Sequence, residues 1–283
     1  MIKNKYLSFL LIAGLALTAC SSDDTVVEQK TLEPGKTYYL TVDATKGSDA
    51  MTRALTLSGS TLTASWATTE HVYVQGTLVS NNSKFWFNGS IQPQSTGVST
   101  RLSGALSVPT GWVYNTIEEA KQNGVFTLPI ELYLQFPRSG NLDYTGQVGT
   151  IADIAAKYDY ATATAHVVEL DDNHIMASSS VTFENQQAIV KFTLIDKVDG
   201  TTMLSPTALT INYGSGTVSL TDIPAATYST NGYGVLFVAI HGFSNQTVTL
   251  TATVGNDTYT YTTSSTKTFV NGKYYEIGVK MTK

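Results

Sequence analysis

Residues 248–261, VTLTATVGNDTYTY, alternate apolar and hydroxyl-bearing side chains and are interrupted once, by Gly-Asn-Asp. Successive side chains of a β-strand point to opposite faces, so Val248, Leu250, Ala252 and Val254 share one face. A short turn with Gly and Asn between two alternating runs is the signature of a β-hairpin. This stretch therefore predicts an antiparallel strand pair with one buried face.

The same period of two recurs in short runs along the chain. In the run 188–195 both faces are largely apolar, which fits a strand buried inside a sandwich. Only 116–123 and 151–157 are helix-like, and both are too short to build the fold. Repeated strands with Gly- and Asn-containing turns predict an all-β fold of two tandem antiparallel β-sandwiches. The other strand-like runs are 38–43, 62–66, 71–74, 84–87, 130–136 and 275–281.

The composition limits the class of partner. The 283 residues are 42% hydrophobic, which is ample for a core, and only 14% charged. Thr, Ser, Tyr, Gly and Val are abundant, and β-branched and aromatic residues suit a pleated, half-buried surface. The net charge is −5 and no basic run interleaved with aromatics occurs, so nucleic-acid binding is disfavoured.

The N-terminus has the pattern of an export signal. Lys3 and Lys5 precede the apolar run 7–16, which has signal-peptide length and is too short to cross a bilayer as a helix. The run closes on LTAC at 17–20, which resembles the lipobox of bacterial lipoproteins. That resemblance implies cleavage before Cys20 and a lipid on its thiol. Because Cys20 is the only cysteine, disulfides are excluded.

These features divide the chain into four segments. A lipoprotein signal peptide covers 1–19, and a polar tether without periodicity covers 20–36. The chain turns polar around 171–174, so we place a domain boundary just after it. The N-terminal β-sandwich domain is then 37–175 and the C-terminal one 176–283.

Six segments follow one another along the chain in a fixed order. They are Thr52-Arg53-Ala54, Thr63-Ala64-Ser65-Trp66, Asp159-Tyr160-Ala161, Val181-Thr182-Phe183, residues 188–192 and residues 269–275. In that order they resemble the fimbrillin-like family, the subunits of lipoprotein-derived bacterial fimbriae that assemble by strand exchange. This chain departs from many members by lacking a histidine at Glu184 or Asn185.

The resemblance implies two transthyretin-like or Greek-key sandwiches and a route of assembly. An arginine-specific protease cuts the loop after the first strand, and a strand of the next subunit fills the groove that this strand leaves. Here the first strand is Tyr38–Asp43 and the polar loop is Ala44–Thr52, with Arg53 following it. Arg53 is the only arginine between Cys20 and Arg101. The alternative is that Arg53 is a plain surface charge at the start of a strand.

The last strand is the candidate donor. Tyr275, Ile277, Val279 and Met281 share one of its faces. A strand that completes its own domain cannot also fill a neighbour, so an anchor subunit that keeps its lipid stays open as an alternative. The resemblance implies other fimbrial subunits, self or related, as partners, with a host or bacterial surface molecule as a candidate ligand. It implies location in the cell outer membrane as a surface-exposed lipoprotein, or in a fimbrium after processing.

No sequence pattern points to catalysis, a cofactor or a metal. The four histidines lack metal-ligand spacing, and Asp171-Asp172-Asn173-His174 lacks the glycine and distal glutamate of an EF-hand loop, so it predicts a solvated turn. Gly-x-Ser-x-Gly, phosphate-binding glycine loops and His-Glu-x-x-His are absent from the sequence. We therefore expect that this chain is not an enzyme.

Tryptophans offer an alternative function. Exposed tryptophans on a β-sandwich can stack on sugars, so a surface lipoprotein that binds glycans is the competing hypothesis. Trp66 shares a strand face with Leu62 and is expected in the core, whereas Trp86 and Trp112 are the candidates for glycan stacking.

Overall fold

The computed structural model describes residues 32–47, 56–58, 61–77, 84–110, 128–134, 142–177 and 180–283. Strands dominate these residues, which confirms the all-β prediction. The helical parts are α1 (Ile151–Asp153), which continues as a π-helical turn at Ile154–Tyr158, and α2 (Ala225–Asn231). Among the described residues, no helix has the length and apolar content needed to cross a bilayer.

One large sheet holds ten of the strands in the first part of the chain. Its main path runs β5-β4-β9-β10-β11-β1-β8-β6, with β12 beside β1 and β10, and β7 beside β8. A small hairpin joins β2 (Thr56–Ser58) to β3 (Thr61–Thr63). The strands of the large sheet are β1 (Thr37–Lys46), β4 (Val72–Thr77), β5 (Lys84–Trp86), β6 (Asn88–Gly89), β7 (Gln92–Pro93), β8 (Ser99–Ser107), β9 (Leu128–Leu134), β10 (Ala161–Leu170), β11 (His174–Ala177) and β12 (Val181–Asn185).

Three smaller sheets follow. They are the three-stranded β16-β13-β21, the four-stranded β15-β14-β18-β19 and the pair β17-β20. The hairpin predicted at 248–261 is β18-β19, and Gly214 and Ser215 form the turn between β14 and β15. The strands are β13 (Ala188–Asp196), β14 (Ala208–Tyr213), β15 (Gly216–Leu220), β16 (Val235–Ile240), β17 (Phe243–Gln246), β18 (Val248–Val254), β19 (Asp257–Thr262), β20 (Lys267–Phe269) and β21 (Tyr274–Met281).

The sheets are not purely antiparallel, which corrects the sequence-based expectation. β1 runs parallel to β11 and to β12, and β21 runs parallel to β13. Hairpin turns are local signals, whereas these pairs join segments that lie far apart in sequence. No turn residue could have revealed them.

The buried apolar residues form two clusters. The first includes Tyr38, Leu40, Trp66 and Phe183, and Trp66 is fully buried with its ring edge-on to Phe183 at a centroid distance of 5.2 Å. The second is built on β13, whose Ala188, Ile189 and Val190 are all buried as the run of apolar residues predicts. The helical prediction at 151–157 is confirmed, and that at 116–123 lies outside the described residues. The domain boundary at 175/176 stays a prediction.

Candidate functional site: strand β1 and its groove

β1 is held on both edges. Along Thr37–Thr45 it pairs antiparallel with β8. Its other edge pairs parallel with β11 through Tyr39–Thr41 and with β12 through Ala44–Lys46. A strand inserted between two neighbours satisfies backbone donors and acceptors of both, so its removal would leave two rows of them unpaired.

β1 also buries one complete face. Its residues alternate between exposed and buried along the strand, as the period of two requires. The buried members belong to the first apolar cluster apart from the last, which is a lysine. The inward residues are Tyr38, Leu40, Val42, Ala44 and Lys46.

Lys46 forms a buried ion pair with Glu70. The Lys46 Nζ lies 2.8 Å from Glu70 Oε1 and 3.1 Å from Oε2, and neither side chain is exposed to solvent. Nζ also donates to the carbonyl oxygen of Ser65 at 3.0 Å and lies 4.3 Å from the centre of the Trp66 ring. The amide of Ala67 donates to Glu70 Oε2 at 3.0 Å. Each charge is therefore both paired and hydrogen-bonded, which is what burial of charges requires.

This ion pair fixes the end of β1 to the rest of the fold. In the described part of the chain, Lys46 is the cationic side chain within ion-pair distance of Glu70. Removing one partner of a buried pair costs about 3–5 kcal/mol, because the other charge stays buried without compensation. Any strand that replaces β1 and closes the groove must therefore place a cationic group beside the Glu70 carboxylate.

Neither Lys46 nor Glu70 is among the site residues predicted from the sequence. The predicted first strand ends at Asp43 and the predicted polar loop includes Lys46, whereas β1 continues to Lys46. The signal was available in the alternation, because the series of inward residues from Tyr38 reaches Lys46 by steps of two. Lysine is almost never fully buried unless it is paired, and the partner Glu70 cannot be found from local sequence.

The outward face of β1 meets solvent. Tyr39 is 55% exposed, and Asp43 accepts a hydrogen bond from Arg101 Nε at 3.0 Å on neighbouring β8. This contact with Asp43 raises the pKa of Arg101. A separate surface pocket of about 500 Å³ lies over this outward face, and His174 is one of the residues that line it. His174 lies in the turn predicted from Asp171-Asp172-Asn173-His174, where the Asp171 carboxylate accepts from two backbone amides.

β21, the candidate donor, lies at the edge of its sheet. It pairs with β13 along Tyr274–Met281 and with the bridge residue Thr260 on its other side. Val279 and Met281 are buried in the second cluster, and Tyr275 and Ile277 are half-buried against it, so the four share one face as the alternation predicts. The opposite edge of this sheet, β16, is covered by the segment 147–149.

Trp86 lies on β5, which pairs with β4 in the large sheet. It is half-buried, with its ring 4.9 Å from that of Tyr133. The Tyr133 hydroxyl donates to Glu131 at 2.6 Å, and burial together with this carboxylate raises the pKa of Tyr133. The prediction that Trp86 stacks on sugars stays a prediction.

Three of the residues singled out from the sequence, Cys20, Arg53 and Trp112, lie outside the described residues. In sequence Arg53 falls between Gly47, which follows β1, and Thr56, which begins β2. Within the described ranges, no three His, Cys, Asp or Glu side chains come together as a metal ion would require.

No family model and no curated protein matches this chain. Solved structures do. A fimbrial assembly protein from Parabacteroides distasonis is 11% identical, with 86% of this chain and 91% of that one covered and a TM-score of 0.41. Fimbrial proteins and putative cell adhesion proteins are among the structural neighbours. They include the tip fimbrial protein Mfa3 from Porphyromonas gingivalis, at 8% identity, 87% and 95% coverage and a TM-score of 0.39. A fimbrial protein from Bacteroides ovatus is 11% identical, with 89% of this chain and 50% of that one covered and a TM-score of 0.36.

Proposed function

We propose that this chain is a structural or adhesive subunit of a cell-surface fimbria, or its anchor, exported as an outer-membrane lipoprotein through Cys20. Hydrolysis of the peptide bond after Arg53 breaks the covalent link between β1 and the strands that follow it. A strand of the next subunit then takes the place of β1. The observation that carries this function is that β1 is paired on both edges and buries one whole face.

The backbone hydrogen bonds that β1 makes with its neighbours favour replacement of β1 by another strand over its simple loss. An empty groove would expose unpaired amides and carbonyls of β8, β11 and β12 together with the apolar face of the first cluster. After the cut, β1 is held only by non-covalent contacts. A second strand can therefore replace it step by step without the groove ever being fully open.

β21 is suited to the role of donor because it would form backbone hydrogen bonds along two edges in the groove, and it forms them mainly along one edge in its own sheet. It pairs with one strand, β13, over its length, whereas the occupant of the groove pairs along both edges. Its departure would expose one edge of β13. A copy that keeps β21 on β13 can accept a strand without donating one, which is the geometry of an anchor or a terminal subunit.

Controlled proteolysis tests this function. The soluble chain 21–283, which lacks Cys20, is treated with an arginine-specific protease, the cut is located by mass spectrometry, and mass in solution is followed by light scattering. We expect cleavage after Arg53, release of the segment that contains β1, and oligomers whose size grows with protein concentration.

Arg53→Lys is the matched control, because it keeps the charge and removes the cleavage site. That variant should remain monomeric under the same treatment. A chain that is cut after Arg53, loses β1 and still remains monomeric would contradict strand exchange. Saturable polysaccharide binding that disappears in Trp86→Ala would then favour the glycan-binding function.

A further inference from the structure

The strand in the groove and the last strand of the chain are related in sequence. Residues 35–46 read GKTYYLTVDATK and residues 272–283 read GKYYEIGVKMTK, and without any gap six of the twelve positions are identical. The first four inward residues of β1 correspond to the four residues of β21 that face its own core, and the fifth, Lys46, corresponds to Lys283, which follows β21 and is exposed. The four inward pairs are Tyr38 and Tyr275, Leu40 and Ile277, Val42 and Val279, and Ala44 and Met281.

The turns that lead into the two strands share one geometry. In the turns Glu33–Lys36 and Val270–Lys273, the amide of the fourth residue donates to the carbonyl of the first at 3.1 Å in both. The third residue is Gly35 in one and Gly272 in the other, with φ of +80° and +78°. A positive φ at this position marks a type II turn, which glycine adopts without strain.

In each turn, a tyrosine hydroxyl accepts a hydrogen bond from the backbone amide of the first turn residue. The Tyr38 hydroxyl accepts a hydrogen bond from the Glu33 amide at 3.0 Å, and the Tyr275 hydroxyl accepts one from the Val270 amide at 2.9 Å. The turn, the tyrosine hydrogen bond and the strand thus form the same local structure twice, once at β1 between its neighbouring strands and once at β21 on the edge of β13.

The final lysine of the repeat has different partners in its two settings. Lys46 is buried with Glu70, whereas the side chain of Lys283 is 57% exposed and lies 2.7 Å from Asp257. The hydrogen bond to Asp257 raises the pKa of Lys283, so it is a cation at neutral pH. Its exposed pair contributes little to stability, and little is lost when it breaks.

We propose that the groove vacated by β1 selects residues 272–283 of a second copy of this chain, and that Glu70 enforces the choice by pairing with the Lys283 of that copy. The inference rests on the proposed strand exchange and specifies which strand is accepted and in what register. A strand with an apolar residue at this place would bury Glu70 without a counter-ion. A strand shifted by two residues would do the same, so the ion pair fixes register as well as partner.

Of the six positions at which the two segments differ, those of Met281 and Lys280 leave the fit intact. Met281 is larger than Ala44, and its unbranched thioether adapts to irregular space. On the outward face Lys280 replaces Asp43 opposite Arg101, which sets two like charges side by side in solvent. Exposed pairs of this kind have small effects, so Lys280 serves as a control for Lys283.

The test uses the cleaved chain 21–283 and synthetic peptides of residues 272–283, labelled at the N-terminus and amidated at the C-terminus. Binding is followed by fluorescence anisotropy and release of the segment with β1 by mass spectrometry. We expect the Lys283→Met peptide to bind at least about thirtyfold more weakly than the natural one, as for loss of one partner of a buried charge pair. The Lys280→Met peptide, which carries the same change on the outward face, should bind as well as the natural peptide.

Each outcome has a distinct meaning. Equal binding of the natural and Lys283→Met peptides, with release of β1 by both, overturns the role of Glu70 and leaves strand exchange standing. Binding of neither peptide to a chain that also fails to assemble overturns the inference together with the proposed function. A second measurement uses Glu70→Gln as acceptor, on which the difference between the two peptides should fall to within about threefold, since an amide is neutral and does not need a counter-ion.

Discussion

Lys46→Met is expected to destabilise the intact chain far more than loss of any surface lysine. Methionine keeps most of the length of the side chain and removes the ammonium group. That group contacts both Glu70 carboxylate oxygens and the Ser65 carbonyl, and it lies 4.3 Å from the Trp66 ring centre. Removing one partner of a fully buried pair costs about 3–5 kcal/mol, and we expect a loss of free energy of unfolding in this range.

Urea unfolding measured by the fluorescence of Trp66 gives the size of the loss, in a background where Trp86 and Trp112 are replaced by Phe. The matched control is Lys84→Met, since Lys84 pairs with Glu131 at 2.7 Å but has a side chain that is 50% exposed. We expect the control to lose less than about 1 kcal/mol.

The double variant Lys46→Met/Glu70→Leu separates loss of the pair from loss of packing. Replacing both members of a buried pair by apolar residues is often close to neutral, so most of the loss should be recovered. If Lys46→Met costs no more than Lys84→Met, or if the double variant is as unstable as the single one, then Glu70 is not left as an uncompensated buried charge and the reasoning is refuted.

Three further predictions concern other parts of the molecule. Gln147→Leu should lower the free energy of unfolding by about 1–3 kcal/mol in urea titrations, because the buried amide exchanges hydrogen bonds with both the N–H and the C=O of Ala239 on the edge of β16. Asp199 accepts hydrogen bonds from the hydroxyl and amides that follow it, which lowers its pKa to about 2, so its contribution to stability is present above about pH 4 and is lost as the pH falls towards 2. The difference in melting temperature between the natural chain and Asp199→Asn should therefore shrink between pH 5 and pH 2. Trp86→Ala should leave assembly after cleavage unchanged in light scattering, because β5 pairs with β4 and the Trp86 ring packs against Tyr133 on β9, and neither β4 nor β9 borders β1.

The local elements could be predicted from sequence, since their signals lie within a few residues. Alternation located the strand cores, and Gly255 and Asn256 marked the hairpin of β18 and β19. The burial of Trp66 followed from the apolar residues on its strand face. What these have in common is that the determining neighbours are near in the chain.

The long-range pairings could not be predicted in this way. The position of β1 between β8, β11 and β12 depends on partners at 99–107 and 174–183, and no turn connects them. The burial of Lys46 depends on Glu70, which becomes its neighbour only after the sheet has formed. The similarity of 35–46 to 272–283 was present in the sequence, yet its meaning needs the structure, which shows one copy in a groove and the other at an edge.

Register-specific cross-linking tests strand exchange most directly. In the intact chain Thr45 lies opposite Ser99 on β8, and their hydroxyl oxygens are 3.0 Å apart. Thr282 is the counterpart of Thr45 in the repeat. Facing residues of antiparallel strands have Cα atoms about 4.5–5.5 Å apart, which a disulfide can bridge.

The chain 21–283 with Ser99→Cys and Thr282→Cys should form a ladder of disulfide-linked oligomers after cleavage at Arg53, and none before it. Ser103→Cys with Thr282→Cys is the control, because four residues along β8 correspond to about 13 Å, beyond the reach of a disulfide. Assembled chains that form no ladder with Ser99→Cys, or that form it equally with Ser103→Cys, would show that residues 272–283 do not take the place of β1.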